Sequence, residues 1–129
     1  MSRTFAPLPT DALGEACEAI VLRALRRDDR PWWIYKVRRA HRATEDRRRG
    51  VDVVVQIDLG RVFLQVKRSR YYLVQWLARW GNDPRPIGIV IAKETEAEAV
   101  VYGRALGALI LLRERLEHDA AIAKREAAW

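Results

Sequence analysis

The sequence predicts a single α/β domain in which the element order αβββαβα builds a central four-stranded mixed sheet. Three strand-like runs separated by polar turns lie before residue 68, and a helical pattern then leads to a fourth apolar run. The order strand, helix, strand indicates a right-handed crossover, which makes the fourth strand parallel to the third. A chain of 129 residues suits one domain over 1–129, with its core at about 11–92 and a C-terminal helical segment at about 96–127.

The first helix is predicted over about residues 11–27, with Thr10 as its N-cap and apolar residues at helical spacing behind it. Glu15 and Glu18 fall on the flank of the apolar stripe, so their carboxylates border the buried face of the helix. Residues 32–37 are rich in aromatic and β-branched side chains, which predicts the first strand there.

Residues 50–69 predict a β-hairpin with a turn at residues 58–60. Side chains alternate along both strands, so each strand has one apolar face. Pairing those faces puts odd-numbered residues of the first strand opposite even-numbered residues of the second. The same register places Asp52 on the face that carries Gln65 and Lys67. A slip of one residue would separate these three side chains and expose half of the valines, so hydrophobic burial fixes their arrangement.

Residues 70–80 predict an amphipathic helix for which Ser69 is a candidate cap. Its apolar stripe consists of Tyr72, Leu73, Trp76, Leu77 and Trp80. Residues 86–92 are apolar without alternation, which is typical of a strand covered on both faces.

The chain from about residue 96 onward has a helical pattern, and Thr95 and Glu98 are spaced as a capping box. The first half of this helix is apolar over much of its circumference. One domain of this size does not bury such a helix completely, so we expect a homodimer that forms through it. The alternative is that the helix covers one face of the sheet of its own chain.

The net charge of +7 and the sequence pI near 10.2 favour a polyanionic partner, and we expect DNA. Most of the excess comes from arginines that cluster on both sides of the hairpin. The predicted nucleic-acid-binding residues are Arg38, Arg39, Arg42, Arg47, Arg48, Arg49, Arg68 and Arg70. Ordinary solvated surface charge is the alternative interpretation.

The composition excludes two other classes of protein. No apolar run approaches the roughly 20 residues that a membrane-spanning helix needs, so we expect no membrane partner. The first residues lack the apolar segment of a secretory signal, and we expect a cytoplasmic protein. Cys17 is the lone cysteine and lies in an apolar helical pattern, which indicates a buried structural thiol.

The groups that the hairpin offers fit the hydrolysis of a phosphodiester, which needs a metal ion to neutralise the phosphate and a positioned water. Asp52 offers a carboxylate, Gln65 an amide oxygen and Val66 a main-chain carbonyl, and oxygens of these kinds bind Mg²⁺. Lys67 can stabilise the attacking hydroxide or the charge that develops on the phosphate. Either glutamate of the first helix can complete the metal shell or orient the water.

The order of elements and motifs resembles the PD-(D/E)XK nuclease superfamily over about residues 13–92. It is similar in particular to the small domains of archaeal Holliday-junction resolvases and of type IV restriction nucleases. In that family an Asp begins one hairpin strand, and Glu-x-Lys or Gln-x-Lys lies on the next strand. Asp52 and Gln65-Val66-Lys67 match these positions. The glutamate that many members carry on the first helix matches Glu15 best and Glu18 second.

The resemblance implies a restriction-endonuclease-like fold and a Mg²⁺-dependent DNA endonuclease, with Mn²⁺ as a second candidate metal. Asp52, Gln65, Lys67 and Glu15 would be the catalytic residues, and Asp52, Gln65 and the Val66 carbonyl would bind the metal. Two departures from the family pattern stand out. No proline precedes Asp52, and glutamine replaces glutamate at position 65, which removes one negative charge from the metal site. The alternative is a non-catalytic DNA-binding or protein-interaction module that retains the nuclease fold.

Overall fold

The computed structural model describes residues 10–41, 51–80 and 82–128. Its elements are α1 (Thr10–Leu25), β1 (Ile34–Arg39), β2 (Val53–Ile57), β3 (Gly60–Lys67), α2 (Arg70–Trp80), β4 (Ile87–Ile91) and α3 (Glu98–Ala127). This order confirms the predicted α/β class, the four-stranded mixed sheet and the long C-terminal helix.

The sheet has the strand order β1-β2-β3-β4. β2 is antiparallel to both of its neighbours, and β4 is parallel to β3 as the strand-helix-strand pattern predicts. Val53 pairs with Leu64, which confirms that odd residues of β2 lie opposite even residues of β3. Ile57 pairs with Gly60, so the hairpin turn has two residues. The φ angle of Gly60 is 138°, a conformation that residues with a side chain rarely adopt.

One face of the sheet, called here the helical face, packs against α1 and α3. Its strand residues are Val37, Val53, Val55, Ile57, Val62, Leu64, Val66 and Val90, and all of them are buried. The approach of α3 to β4 is close at Gly88, where an added Cβ would lie 3.1 Å from Leu112 Cδ1 and 3.3 Å from Leu64 Cδ2. Burial of these apolar side chains accounts for the main core of the domain.

The opposite face, called here the polar face, carries the alternate strand residues. These are Lys36 and Arg38 of β1, Val54 and Gln56 of β2, Arg61, Phe63, Gln65 and Lys67 of β3, and Ile87, Ile89 and Ile91 of β4. A small apolar cluster lies on this side, formed by Ala40, Val51 and Val54 with Phe63 and Ile87 against it. The candidate side chains Gln65 and Lys67 therefore lie on the face that is poorer in apolar contacts.

The prediction for β1 was wrong by two residues at each end. The Ile34 amide donates to the Pro31 carbonyl at 3.1 Å, which closes a turn and leaves Trp32 72% exposed. Arg38 and Arg39 pair with Val54 and Val53 and so extend the strand two residues beyond its predicted end at residue 37. The aromatic content of the segment therefore did not mark the strand, because turn hydrogen bonds and pairing with β2 set its limits.

α2 has the predicted bounds, but the predicted apolar stripe is only partly buried. Trp76 is buried, whereas Tyr72 and Leu77 are 50% and 47% exposed. β4 is also covered less than predicted, since Val90 is buried while Ile89 and Ile91 on the polar face are half-buried. Both differences have the same origin, because α1 and α3 pack on the helical face and do not cover the polar face.

α3 begins later than the sequence predicts. Its N-cap is Ala97, which makes no side-chain cap hydrogen bond, so the predicted capping box of Thr95 and Glu98 is wrong. The Glu96 carboxylate instead accepts a hydrogen bond of 2.7 Å from the Lys93 amide. A local side-chain bond in the preceding turn thus replaces the cap that the spacing indicated.

α3 lies on the helical face of its own chain, with Val101, Ala105, Leu109 and Leu112 buried at helical spacing. The helix also exposes four large apolar residues, namely Val100, Ile110, Leu111 and Ile122. The homodimer through this helix stays a prediction. Among the described residues, no helix combines the length and the apolar character that a membrane span requires.

Candidate functional site

Asp52 lies immediately before β2 and is only 8% exposed. Its amide donates to the Leu64 carbonyl at 3.0 Å, although Leu64 is also the pairing partner of Val53. Two residues of one strand thus share one partner, as in a β-bulge. The carboxylate Oδ2 accepts a hydrogen bond of 2.8 Å from the Val66 amide. The bulge therefore brings the Asp52 carboxylate against β3, at the peptide unit that joins Gln65 to Val66.

The Gln65 side chain is 6% exposed, and its Oε1 accepts no hydrogen bond from the part of the chain that the structure describes. Leaving a buried acceptor unsatisfied costs about 1–3 kcal/mol. Native structures contain few such atoms, and each of them asks for a reason. The Gln65 amide oxygen and the Asp52 carboxylate, which binds the amide of the next residue, are hard oxygen ligands of the kind that a cation would satisfy.

The donor set fits Mg²⁺, which prefers oxygen ligands and retains several of its waters. The N–H and C=O groups of a strand residue point to the same side of the strand, so the Val66 carbonyl is directed toward β2 like the amide that binds Asp52. No three His, Cys, Asp or Glu side chains within the described ranges come together to hold a metal ion. A site at Asp52 and Gln65 therefore has a single strand carboxylate, and it depends on neutral oxygens and water for the rest of its shell.

Lys67 lies two residues beyond Gln65 on the same face of β3. Gln65 pairs with Ile89 and Lys67 with Ile91, so both side chains border β4. The Lys67 side chain is half-buried and forms no ion pair with the residues that are described. Its ammonium is therefore available at the carboxyl end of β3, two residues beyond Gln65.

The two glutamates of α1 occupy different environments. Glu15 is exposed, whereas the side chain of Glu18 is only 14% exposed and its Oε1 lies 3.9 Å from Arg39 Nη1. Arg39 in turn pairs with Val53, the residue after Asp52. The rotation of α1 thus brings Glu18, rather than Glu15, toward the end of the sheet where Asp52 lies.

Arg68 and Glu94 form a paired contact at the same end of the sheet. Arg68 Nε and Nη2 donate to the two carboxylate oxygens of Glu94, both at 3.1 Å. The Arg68 hydrogen bond lowers the pKa of Glu94 to about 2. The Cys17 thiol donates to Glu94 Oε2 at 3.6 Å, and burial raises its pKa. Cys17 is therefore the buried thiol that the sequence predicts, and it joins α1 to this ion pair.

A basic cavity of about 580 Å³ adjoins Lys67. It is lined by Arg68, Ser69, Arg70, Ile89, Ile91, Lys93, Glu96 and Arg104. Arg104 Nη1 donates to the Ile91 carbonyl at 3.0 Å and to Glu96 Oε1 at 2.8 Å, which holds its guanidinium at the edge of β4. Four cations and one carboxylate give the cavity an excess of positive charge, which suits a phosphate group.

Sequence reasoning missed Lys93 and Arg104 as part of this site. The position of Lys93 had a signal, because it follows a strand predicted to be parallel to the one that carries Lys67. Arg104 had none, since its place depends on how α3 packs along the edge of β4. Four of the predicted DNA-binding residues, Arg42, Arg47, Arg48 and Arg49, lie outside the described residues. Arg38 lies on the polar face, and its Nη1 donates to the Arg39 carbonyl at 3.2 Å.

Fold and site together define an α/β domain with a buried Asp–Gln pair, a neighbouring lysine and a basic cavity at one end of its sheet. No family model, curated protein or solved structure matches this chain. The interpretation of the site therefore rests on its own residues and on the motif resemblance.

Proposed function

We propose that the protein is a Mg²⁺-dependent endonuclease that hydrolyses phosphodiester bonds in DNA in the cytoplasm, with a fold of the PD-(D/E)XK type. One observation carries the proposal. The unsatisfied Gln65 Oε1 lies on the strand whose next amide, that of Val66, binds the buried Asp52 carboxylate. A protein that keeps an unpaired buried acceptor next to a carboxylate pays for it in stability, and metal binding supplies the compensation.

Each polar group has a role in this proposal. Asp52, Gln65 and the Val66 carbonyl hold the metal, which when bound neutralises phosphate charge and favours ionisation of a water. The Lys67 ammonium donates hydrogen bonds to the attacking oxygen or to the charge that develops on the phosphate. Glu18 orients the water, and it replaces Glu15 as the first choice for this role because it is the glutamate directed toward the sheet.

The basic residues bind the phosphates of the substrate. Arg70 and Lys93 form no ion pair with described residues, so both are available to an anion in the basic cavity. Arg68 keeps its pairing with Glu94 and contributes positive charge to the same cavity. Contacts of this kind position DNA without reading its sequence.

A cleavage assay on branched, single-stranded and duplex DNA with Mg²⁺ or Mn²⁺ tests the proposal. Asp52→Asn and Lys67→Met should each reduce the cleavage rate at least about a hundredfold, because each removes a group that acts on the reacting phosphate. Asp28→Asn and Lys124→Met are matched controls at exposed positions and should leave the rate unchanged. Cleavage that survives both site variants at the wild-type rate would remove the proposed site.

A second candidate function is DNA binding without catalysis. Two observations favour it, since the Asp52 Oδ2 already accepts the Val66 amide and position 65 contributes no charge to a metal. This candidate predicts salt-dependent DNA binding both in wild type and in Lys67→Met. Neither protein should cleave DNA, whichever metal ion is added. Measurable cleavage that depends on Asp52 would exclude it.

We also propose a homodimer through α3. Ile110 and Leu111 are 42% and 68% exposed, and Leu111 borders a cavity beside Ile87 and Ile89 of β4. Leu111→Asp should convert a dimer to a monomer in sedimentation equilibrium, because it places a charge in the apolar contact. A wild-type protein that sediments as a monomer at high concentration would exclude the dimer.

A further inference from the structure

A row of basic side chains crosses the polar face at the end of the sheet away from Asp52. Lys36 of β1 pairs with Gln56 of β2, and Gln56 pairs with Arg61 of β3. Arg38 lies in the next row, opposite Val54. The side chains of these five residues line a small cavity of about 150 Å³. We call Lys36, Arg38 and Arg61 the basic row.

The charges of Lys36 and Arg61, at the two ends of the basic row, are not balanced by a residue between them, since Gln56 is neutral. Lys36 and Arg61 are exposed, and neither forms an ion pair with a residue that the structure describes. Lys36 and Arg61 are two strand spacings apart, roughly 10 Å, so their charges repel each other. Cross-strand neighbours usually carry opposite charges or apolar side chains. Two unbalanced cations on one face of a regular sheet therefore fit a polyanion that contacts this face.

The basic row lies on the same face as the candidate site. Arg61, Phe63, Gln65 and Lys67 alternate along β3 and share the polar face. Gln65 lies four positions beyond Arg61, which is roughly 13 Å along an extended strand. The basic cavity, lined by Arg70 and Lys93 among others, adjoins the other end of this path, beyond Lys67.

We infer that the sugar-phosphate backbone of one DNA strand runs along β3 on the polar face. The basic row binds phosphates at one end of the path and the basic cavity binds them at the other, so the Asp52–Gln65–Lys67 cluster lies between two anchored segments. The identity of the occupant as DNA rests on the proposed function. The contacts are to phosphates and carry no sequence information. The inference adds Lys36 and Arg61, which lie far from the reacting atoms, to the substrate-binding surface.

Fluorescence anisotropy of the full chain on labelled single-stranded and duplex DNA, in EDTA to prevent cleavage, tests the inference. Lys36→Gln/Arg61→Gln removes two phosphate contacts, so the slope of log Kd against log salt should fall by about 1.5. At about 0.1 M salt this corresponds to a loss of affinity of roughly thirtyfold. Lys124→Gln/Arg125→Gln is the matched control, because it removes the same charge from the exposed end of α3 and should leave the slope unchanged.

The outcomes separate this inference from the proposed nuclease activity. Equal slopes for wild type and both double variants would overturn it, and so would equal losses in both variants, since net charge alone would then explain the binding. A lower slope for the Lys36/Arg61 variant together with no cleavage by wild type supports the DNA path along β3 and excludes the proposed nuclease activity. If cleavage depends on Asp52 and the Lys36/Arg61 variant keeps the wild-type KM and kcat, the DNA path along β3 is excluded. The proposed nuclease activity is then still supported. Circular dichroism of each variant verifies that the fold is unchanged.

Discussion

Leu64 and Gln65 are neighbours on opposite faces of β3, and both are buried. The first is an apolar side chain in the core, whereas the second is a polar side chain with an unsatisfied oxygen. Leu64 on the helical face is 0% exposed and belongs to the main core cluster beneath α1 and α3. Gln65 on the polar face is 6% exposed and leaves its Oε1 unpaired among the described residues. Burial of the Leu64 side chain stabilises the fold, whereas burial of the unpaired Gln65 oxygen costs stability. Buried polar atoms are normally hydrogen-bonded, and exceptions that cost stability tend to mark functional sites. The exception here is Gln65 Oε1, one residue before the Val66 amide that binds Asp52.

The largest expected loss of stability comes from truncating a buried side chain on the helical face. Leu64→Ala should reduce the free energy of unfolding by about 2–5 kcal/mol, because it leaves a cavity between the sheet and the helices. Denaturant unfolding of the purified chain measures this loss. Val54→Ala, in the small cluster on the polar face, should cost less, about 1.5 kcal/mol by the value of roughly 0.8 kcal/mol per buried methylene. Equal losses at the two positions would contradict the difference between the faces.

A second prediction tests how tightly α3 contacts the sheet. An added Cβ at Gly88 meets Leu112 Cδ1 at 3.1 Å, and the larger side chain of Gly88→Val extends further into α3. We expect that variant to lose about 1–3 kcal/mol of unfolding free energy through overpacking. Gly14→Ala is the control, because nothing lies within 4 Å of an added Cβ there and alanine favours the helix by up to about 1 kcal/mol. A Gly88→Val protein as stable as wild type would show that α3 contacts β4 loosely.

The third prediction separates stability from function on the polar face. Gln65→Leu replaces an unsatisfied buried amide by an apolar group of similar size, so the free energy of unfolding should stay level or rise by about 1 kcal/mol. The proposed metal site predicts that the same substitution abolishes Mn²⁺ binding measured by calorimetry, since it removes one of the proposed ligand oxygens. Gln56→Leu is the control for both measurements, because its amide is engaged with the Ile57 carbonyl at 3.0 Å, away from Asp52. A destabilised Gln65→Leu protein would indicate that the amide serves the fold.

Local patterning predicted the hairpin and its register. Alternating valines in β2 leave one pairing that buries them, and this pairing brings Asp52 next to the strand that carries Gln65 and Lys67. The bulge at Asp52 was not predictable, because it appears only in the hydrogen bonds to Leu64 and Val66. The alternation therefore indicated which side chains share the site but not how the carboxylate is held.

Contacts between elements were predicted less well than the elements themselves. Whether Glu15 or Glu18 faces the sheet depends on the rotation of α1, which the packing of the whole apolar stripe decides. The place of Arg104 depends on α3 lying along β4, more than a dozen residues away in the chain. Turn hydrogen bonds displaced β1 from its aromatic residues. Long-range packing set each of these features, and residue spacing carries no information on it.

The smallest expected effect concerns Glu94, where the two faces of the sheet are connected. Its carboxylate binds Arg68 of the basic cavity and accepts the Cys17 thiol of α1, and its pKa is about 2, below the ordinary value of 4.5. A carboxyl group whose folded pKa is depressed stabilises the fold above its unfolded pKa and loses this contribution as pH falls. The difference in unfolding midpoint between wild type and Glu94→Gln should therefore be constant above about pH 5 and shrink between 4.5 and 2.

Arg68→Gln tests whether the ion pair causes this dependence, because the Arg68 hydrogen bond is the main reason for the low pKa of Glu94. Its unfolding midpoint should approach that of wild type over the same pH range, and the double variant should add little to either single change. Wild-type and Glu94→Gln curves that run parallel from neutral pH to pH 2 would show that Glu94 is unpaired in solution. The basic cavity would then hold a mobile Arg68, and the position of this arginine would depend less on the packing of α1 than the hydrogen bonds of Glu94 imply.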